Sequence, residues 1–354
     1  MRTHAHGIAL LASTIIMAGA ATHAASAQIV GVEFSKDYQL IDLGSISGLP
    51  TPNGGLVIRA DEPNTLYIGG AANSSSGIVA RIGLTRDTDG HISGFGCADP
   101  EVFALAPHID GGLFFAPGAV LFYTGYPINV IGQIPPGETA ATRIIDLTAL
   151  GISSSAGSAT LVPAGFPGAG RLKILSYNAS RWYDAAIVPD GAGTYDIVEV
   201  SPPIQIVGSP EGAVYIPAGN PMFDVPSVLV AEYGAGEVGA YDIDDNGDPI
   251  PNTRRDFVLG LSGAEGAAID PVTGDFIFST FGGGNRVVVV RGFTISPTCV
   301  GDLDGSGAVD GGDLTILLSS WGDCGSCPAD LDGNCVVNGT DVGVLLASWG
   351  VCSN

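Results

Sequence analysis

Positive charge is scarce in this chain. Thirteen Lys plus Arg stand against 36 Asp plus Glu, a formal net charge of -23 over 354 residues. A surface of that sign repels phosphate backbones and anionic headgroups, which excludes nucleic-acid and membrane-surface roles from the expected functions. Long apolar runs are missing after residue 27, so no later stretch reaches the roughly 18 residues needed to span a bilayer. Histidine is almost absent: beyond the first 27 residues only His91 and His108 occur. The chain contains no G-x-S-x-G elbow, no H-E-x-x-H pair and no Walker loop, so the common hydrolase, zinc-protease and nucleotide-binding motifs are all missing.

Glycine and proline are abundant instead, 53 and 23 residues against 14% charged residues. These residues terminate elements rather than propagate them, so many short strands joined by tight turns are expected, and the fold class is mainly β. The N-terminus has a different character. Arg2 precedes an apolar stretch from Ile8 to Ala20, and Ala25-Ser26-Ala27 supplies the small residues a signal peptidase reads. Residues 1–27 are therefore expected to be a cleaved secretory signal, and the rest of the chain to be secreted, extracellular or attached at a cell surface.

Between residues 28 and 297 a loose repeat recurs every 46 to 57 residues. NGGLVIRA from Asn53, DGGLFFAP from Asp110, AGSATLVP from Ala156, EGAVYIPA from Glu211 and EGAAIDPV from Glu265 each open with a polar or small residue, a Gly and a β-prone run. A second apolar strand follows each, TLYIGG, AVLFYTG, RLKILSY, SVLVAEY and DFIFSTF, and in places a third. Repeats of about this length containing several short strands indicate propeller blades, whose radial arrangement protects the sheet edges. Five blades are expected, or six if IVGVEFSKDYQLIDLG at 29–44 contributes a blade rather than a ring-closing strand.

That architecture places the residue before each repeated Gly near the central axis. Asn53, Asp110, Glu211 and Glu265 would converge there, with Ala156 interrupting the ring, and three carboxylates plus an amide suit a hard cation. The alternative is that acidic and amide residues before Gly simply suit the turn into a strand. Loops on the same face carry Asn73, Tyr126, Asn178, Trp182, Tyr183, Tyr233, Glu237, Asn285 and Arg286, a composition suited to a glycan or peptide ligand. His108 with Asp110 is a weak acid–base pair, better read as an exposed turn. Asp-rich YDIDDNGDPIP at 241–251 and RDTDGH at 86–91 read as hairpin turns.

The C-terminal stretch is a second kind of repeat. GDLDGSGAVDGGDLTILLSSWG at Gly301–Gly322 recurs as ADLDGNCVVNGTDVGVLLASWG at Ala329–Gly350. Each copy has the spacing of a calcium loop, with side-chain oxygens at positions 1, 3, 5, 9 and 12 and a backbone carbonyl at 7. The first loop offers Asp302, Asp304, Ser306, Asp310 and Asp313 with the carbonyl of Ala308; the second offers Asp330, Asp332, Asn334, Asn338 and Asp341 with that of Val336. Apolar residues then recur at helical spacing, Leu314, Leu317, Leu318, Trp321 and Val342, Leu345, Leu346, Trp349, so two short helices are expected to pack face to face. Position 6 of the second loop is Cys335, where the sharp turn usually takes Gly. Five of the six cysteines fall in this tail, at 299, 324, 327, 335 and 352. The repeat offset suggests Cys299–Cys324 and Cys327–Cys352, leaving Cys97 with Cys335 between domains; Cys327–Cys335 is a rival, and fifteen connectivities stay open.

These doubled loops resemble a type I dockerin over roughly residues 298–354, and the body resembles NHL-type and gluconolactonase-like propellers through its turn spacing. The resemblance implies two bound calcium ions, a cohesin-like or cell-surface partner for the tail, and an axial metal in the body. Gly311-Gly312 and Gly339-Thr340 stand where dockerins carry the residues that choose a cohesin, which weakens the partner expectation relative to calcium. Two functions are expected: a secreted binding or recognition propeller attached through its tail, or an extracellular hydrolase or lyase acting on carbohydrate or lactone. Enzyme activity is left undecided by the residues themselves.

Overall fold

The computed structural model describes residues 1, 28–293, 301, 303, 308–324, 327, 329–332 and 334–351. The expected signal segment lies outside the described residues. Among those described, the body forms five antiparallel blades around one axis, a five-bladed propeller. The innermost strands are Leu56–Arg59, Ile109–Ala116, Ala156–Leu161, Pro210–Ile216 and Ala264–Ile269, one per blade in chain order. They are the openings of the five Gly-led repeats.

Four of the five second strands, such as Val120–Gly125 and Ser227–Glu232, are buried along their whole length. Strands covered on both faces read as continuous apolar runs rather than alternating ones. The burial is between blades: five apolar clusters each draw residues from two neighbouring blades, for example Tyr67 and Val79 with Leu121 and Tyr123 of the next, or Leu175 and Trp182 with Val230 and Tyr241. Large inter-blade side chains thus hold the ring, and no blade has a core of its own.

The choice between five and six blades is resolved by the N-terminal stretch. Gln39–Ser45 pairs antiparallel with Arg286–Arg291 as the outermost strand of the fifth blade, so the start of the chain closes the ring onto its end. Ile29–Val30 adds to the edge of the fourth blade. The junction of blades one and five is further fastened by Arg86, whose guanidinium donates to both oxygens of Asp270 at 2.7 and 2.8 Å. Between blades three and four a fully buried Lys173 donates to Asp184 and Asp248, each at 2.6 Å, and Trp182 Nε1 donates to the same Asp248 oxygen at 2.8 Å.

In the tail, helices Gly311–Ser319 and Gly339–Ala347 each start at a capping box, Asp310 with Asp313 and Asn338 with Asp341. Two short ladders interlock the repeats: Ala308–Val309 pairs with Gly350–Val351, and Gly322–Asp323 with Val336–Val337. Leu317 and Leu345 are buried, as face-to-face packing requires. Leu318, Trp321, Leu346 and Trp349 are not; each is about half exposed, a correction to the expected apolar stripe. A nine-residue helix turns only one narrow face to its partner. Among the described residues no helix is long and apolar enough to cross a membrane.

Of the two described disulfides, one departs from the symmetric expectation and one matches it. Cys324 is bonded to Cys327 rather than to a repeat-related partner, which also removes Cys327 from pairing with Cys335. Cys97 is bonded to Cys335, tying the first blade to the second loop of the tail. Cys299 and Cys352 lie outside the described residues.

Candidate functional site

Asp110, Glu211 and Glu265 do not sit in turns. Each lies inside an innermost strand, next to a shift in register with the second strand, so a local bulge directs the side chain inward. The Gly that follows is required by crowding at the axis. A Cβ on Gly111 would stand 1.9 Å from the backbone oxygen of Glu211, and one on Gly212 would stand 2.3 Å from that of Glu265. Hydroxyls fasten these strands to their neighbours: Thr124 accepts from Gly112 N and donates to Gly157 O, both at 2.9 Å, and Ser279 bridges Gly266 N and Gly54 O in the same way.

The three carboxylates are 1 to 4% exposed and offer oxygens all within 4.8 Å of one another. They form the floor of a cavity of about 270 Å³ whose walls are Asn73, Tyr126, Tyr177, Tyr233 and Phe281. Four aromatics therefore stand above three acids. Each occupies the position just after the second strand of its blade, and in the first blade the same position is Ala71. Successive rings meet nearly edge to face, with centroids 5.9, 5.7 and 6.2 Å apart and interplanar angles of 88°, 78° and 68°. On the first blade's side a small residue replaces the ring, and Asn73 forms the wall.

Polar atoms in this cavity lack partners. Asp110 Oδ2, Glu211 Oε2, Glu265 Oε1 and Asn73 Oδ1 are buried and receive no protein donor, apart from protons the acids share with one another. An unpaired buried acceptor costs about 1–3 kcal/mol, so four of them at one place argue for a donor or cation that belongs there. Burial pushes the Asp110 carboxyl up to about 8, against the lowering effect of hydrogen bonds with Glu265, Asn73 and Glu211. Burial also pushes Glu211 and Glu265 well above the usual carboxylate range, with the charge of Asp110 adding to both. Without a counter-charge the floor holds protons near neutral pH.

Of the sequence-predicted axial set, Asp110, Glu211 and Glu265 are brought together. Asn53 is buried beside them in sequence register but does not line the cavity; its backbone N–H donates to Asn285 Oδ1 at 3.2 Å. Asn73 supplies the amide in its place. From the proposed face, Tyr126 and Tyr233 are in the walls. Trp182 and Tyr183 are not: they are buried where the third blade meets its neighbours, Trp182 against the fourth and Tyr183 against the second, and Trp182 serves Asp248 while the Tyr183 hydroxyl serves Ser153. Glu237 pairs with Arg254, Arg286 with Asp42, and Asn178 donates to Ser155. His108 occupies a left-handed turn position, φ 64°, and does not line the cavity.

Sequence reasoning missed Tyr177 and Phe281. The signal was present, an aromatic immediately after the second strand in four of five repeats. The Asp-rich turns are turns: Asp244 Oδ1 accepts from Asn246 N and Asp248 N, and Asp87 Oδ1 from Asp89 N and His91 N.

In the tail, Asp302, Asp304 and Ser306 lie outside the described residues. In the second loop, carboxylate oxygens of Asp330, Asp332 and Asp341 gather within 4.8 Å. Asn334 N and Cys335 N donate to Asp330, while Leu331 N and Asn338 N donate to Asp341. Leu303 N and Asp310 N donate to Asp313 in the first loop, the matching arrangement. Cys335 has φ 69°, the left-handed conformation that position 6 demands. The donor set, hard oxygens on a tight turn, fits calcium.

No protein-family model matches the chain, and no curated protein does. Similar solved structures include a streptogramin B lyase, 11% identical with a TM-score of 0.37, covering 72% of this chain and 98% of that one. An auxiliary nutrient binding protein from Bacteroides ovatus is 10% identical, with a TM-score of 0.39 and coverage of 72% and 76%. The PQQ-bound aldose sugar dehydrogenase from Streptomyces coelicolor is 15% identical, with a TM-score of 0.37 and coverage of 70% and 83%. The similarity is to β-propeller proteins as an architecture, and no ligand or reaction passes from them to this chain.

Proposed function

We propose that this chain is a secreted binding propeller that captures a cation in its axial pocket and is attached through a calcium-loaded, dockerin-like tail. The observation that carries the pocket reading is the convergence of four unpartnered oxygens, from Asp110, Glu211, Glu265 and Asn73, in one aromatic-walled cavity. A cation there would satisfy them and release the protons that burial now imposes. The net charge of -23 would draw cations toward the protein from solution.

For the tail, two calcium ions would be held by Asp302, Asp304, Ser306, the Ala308 carbonyl, Asp310 and Asp313, and by Asp330, Asp332, Asn334, the Val336 carbonyl, Asn338 and Asp341. A cohesin-like or cell-surface partner would then use the calcium-ordered tail. One observation favours the second reading, an extracellular hydrolase or lyase: a carboxyl that keeps its proton up to about pH 8 can act as a general acid. The raised acids, Asp110 with Glu211 and Glu265, stand together with no hydroxyl, thiol or imidazole nucleophile paired to a base beside them among the described residues, so binding is the better-supported reading.

Calorimetric titration separates the cases. Calcium, magnesium and ammonium salts would be titrated into the full chain and into a chain carrying Asp110→Asn, Glu211→Gln and Glu265→Gln. At least one cation should show a saturable phase that the substituted chain lacks; identical isotherms for every cation would overturn the pocket reading.

A further inference from the structure

We propose that the axial pocket recognises a primary alkylammonium group, its three N–H donors received by Asp110, Glu211 and Glu265 and its carbon chain enclosed by Tyr126, Tyr177, Tyr233 and Phe281. This deepens the cation-capture reading and rests on it. The class of cation follows from three features that a bare metal ion leaves unexplained.

The first is the number and spread of the acceptors. A primary ammonium carries three N–H donors and no acceptor. Three acceptors gathered around one point therefore suit it. The floor offers three buried carboxylates whose oxygens lie within 4.8 Å of one another, each residue with an unpartnered oxygen. Above the acids the cavity adds one amide oxygen, that of Asn73, and then the rings of three tyrosines and a phenylalanine, so aromatic surface covers the floor.

The second is the collar. Four rings meeting at 68° to 88° make the adjoining walls of a box, and a box of aromatic faces is complementary to a cation with an apolar stem. Three of the four are tyrosines, and burial pushes the hydroxyls of Tyr177 and Tyr233 up, with the acids beneath adding to this. They therefore contribute neutral walls and no competing charge.

The third is the side without a ring. Ala71 stands where the other four blades place an aromatic ring, and Asn73 forms the wall there. A chain of several methylenes attached to the ammonium can leave by that side, and the cavity of about 270 Å³ accommodates a short alkylamine rather than a bulky headgroup. The same chemistry is offered by a free alkylamine and by a lysine side chain.

The test uses the full chain and four probes titrated separately: n-butylamine hydrochloride, Nα-acetyl-lysine methylamide, n-butanol as the uncharged isostere, and calcium chloride. Saturable binding of an amine without binding of n-butanol is expected. Tyr177→Ala should weaken it by roughly tenfold, the scale of a desolvated cation–π contact, whereas Tyr177→Phe should retain it. Binding should be lost in Glu265→Gln. If that variant misfolds, as judged by its thermal melt, the Tyr177 pair still decides the question. Preference for butylamine assigns the site to free amines, and preference for the lysine derivative assigns it to a side chain; either supports the proposal. A calcium phase lost on substituting the three acids, with no amine binding, would overturn this inference and leave the cation reading standing. No binding of any cation at those acids would overturn both.

Discussion

Glu211 of the fourth blade lies over Gly157 of the third: a Cβ on Gly157 would stand 2.3 Å from Glu211 Oε2. The third blade, which has Ala156 where its neighbours carry an acid or amide, gives its axial space to the acid of the next blade. Gly157→Ala is therefore a probe of the carboxylate floor that alters no acid in the sequence and crowds Glu211 and the Pro210 carbonyl before it. The substitution should push Glu211 off its position and cost on the order of 1–3 kcal/mol through overpacking. Cation affinity should fall by tenfold or more while Gly137→Ala, at an open surface turn, leaves it unchanged. A Gly157→Ala chain binding as tightly as the parent would remove Glu211 from the site.

The acids also set a pH dependence. Burial raises the Asp110 carboxyl to about 8, above the roughly 3.9 of an unfolded aspartate. The native state thus binds a proton more readily than the unfolded state between those values. Stability from this group is full below about pH 4 and is lost as pH rises through about 8, and Glu211 and Glu265 act in the same direction. In cation-free buffer the Tm of the parent should fall more steeply from pH 5 to 8.5 than that of Asp110→Asn. Equal slopes would mean that Asp110 ionises as freely as an exposed acid.

Much of this was legible in the sequence because the architecture repeats. Five Gly-led segments announced five innermost strands, and the acids before three of those glycines announced the floor. The reason for the glycines was not legible. Nothing local distinguishes a turn glycine from one that lets Gly111 approach the backbone of Glu211, because the second depends on strands that are 100 residues apart in the chain. Trp182 was misplaced for a related reason. It lies one residue into the strand Arg181–Pro189, and the inter-blade core takes that side chain, whereas Tyr177, five residues earlier, lies just outside its strand and reaches the cavity. A register difference of this size is smaller than the uncertainty of strand ends read from composition. The repeat offset pointed to the Cys97–Cys335 tie between blade and tail, but it did not encode the local Cys324–Cys327 bond, whose partners stand three residues apart.

Lys173 provides a stability test far from the pocket. Fully buried, it answers two carboxylates from different blades, and Asp248 has one other described side-chain donor, Trp182 Nε1. Lys173→Met keeps the volume and removes the charge, leaving Asp248 buried beside Asp184. Breaking a buried pair this way costs about 3–5 kcal/mol, whereas Lys173→Met combined with Asp248→Asn should recover part of the loss. Urea midpoints would measure both, with cation binding at the axis unchanged. A single variant as stable as the parent would show that the cluster takes on protons or water at no cost.

The bond between Cys97 and Cys335 makes the second tail loop an extension of the first blade. Cys335 sits at the loop's sharp turn with φ 69°, Cys97 N donates to its sulfur at 3.1 Å, and Asn64 Nδ2 donates to the Asp330 carbonyl at 3.4 Å. Two contacts therefore fix the loop at positions 1 and 6. A side chain in the left-handed region is unfavourable relative to Gly, and here the cross-link holds it there. Cys97→Ser alone should lower the calcium affinity of the second loop several-fold, because the strained turn loses its tether. Adding Cys335→Gly should restore loop affinity without restoring the cross-link, so calcium would again protect the tail from proteolysis while no disulfide ties it to the first blade. If Cys97→Ser leaves calcium affinity untouched, the bond serves attachment only and the turn is stable without it.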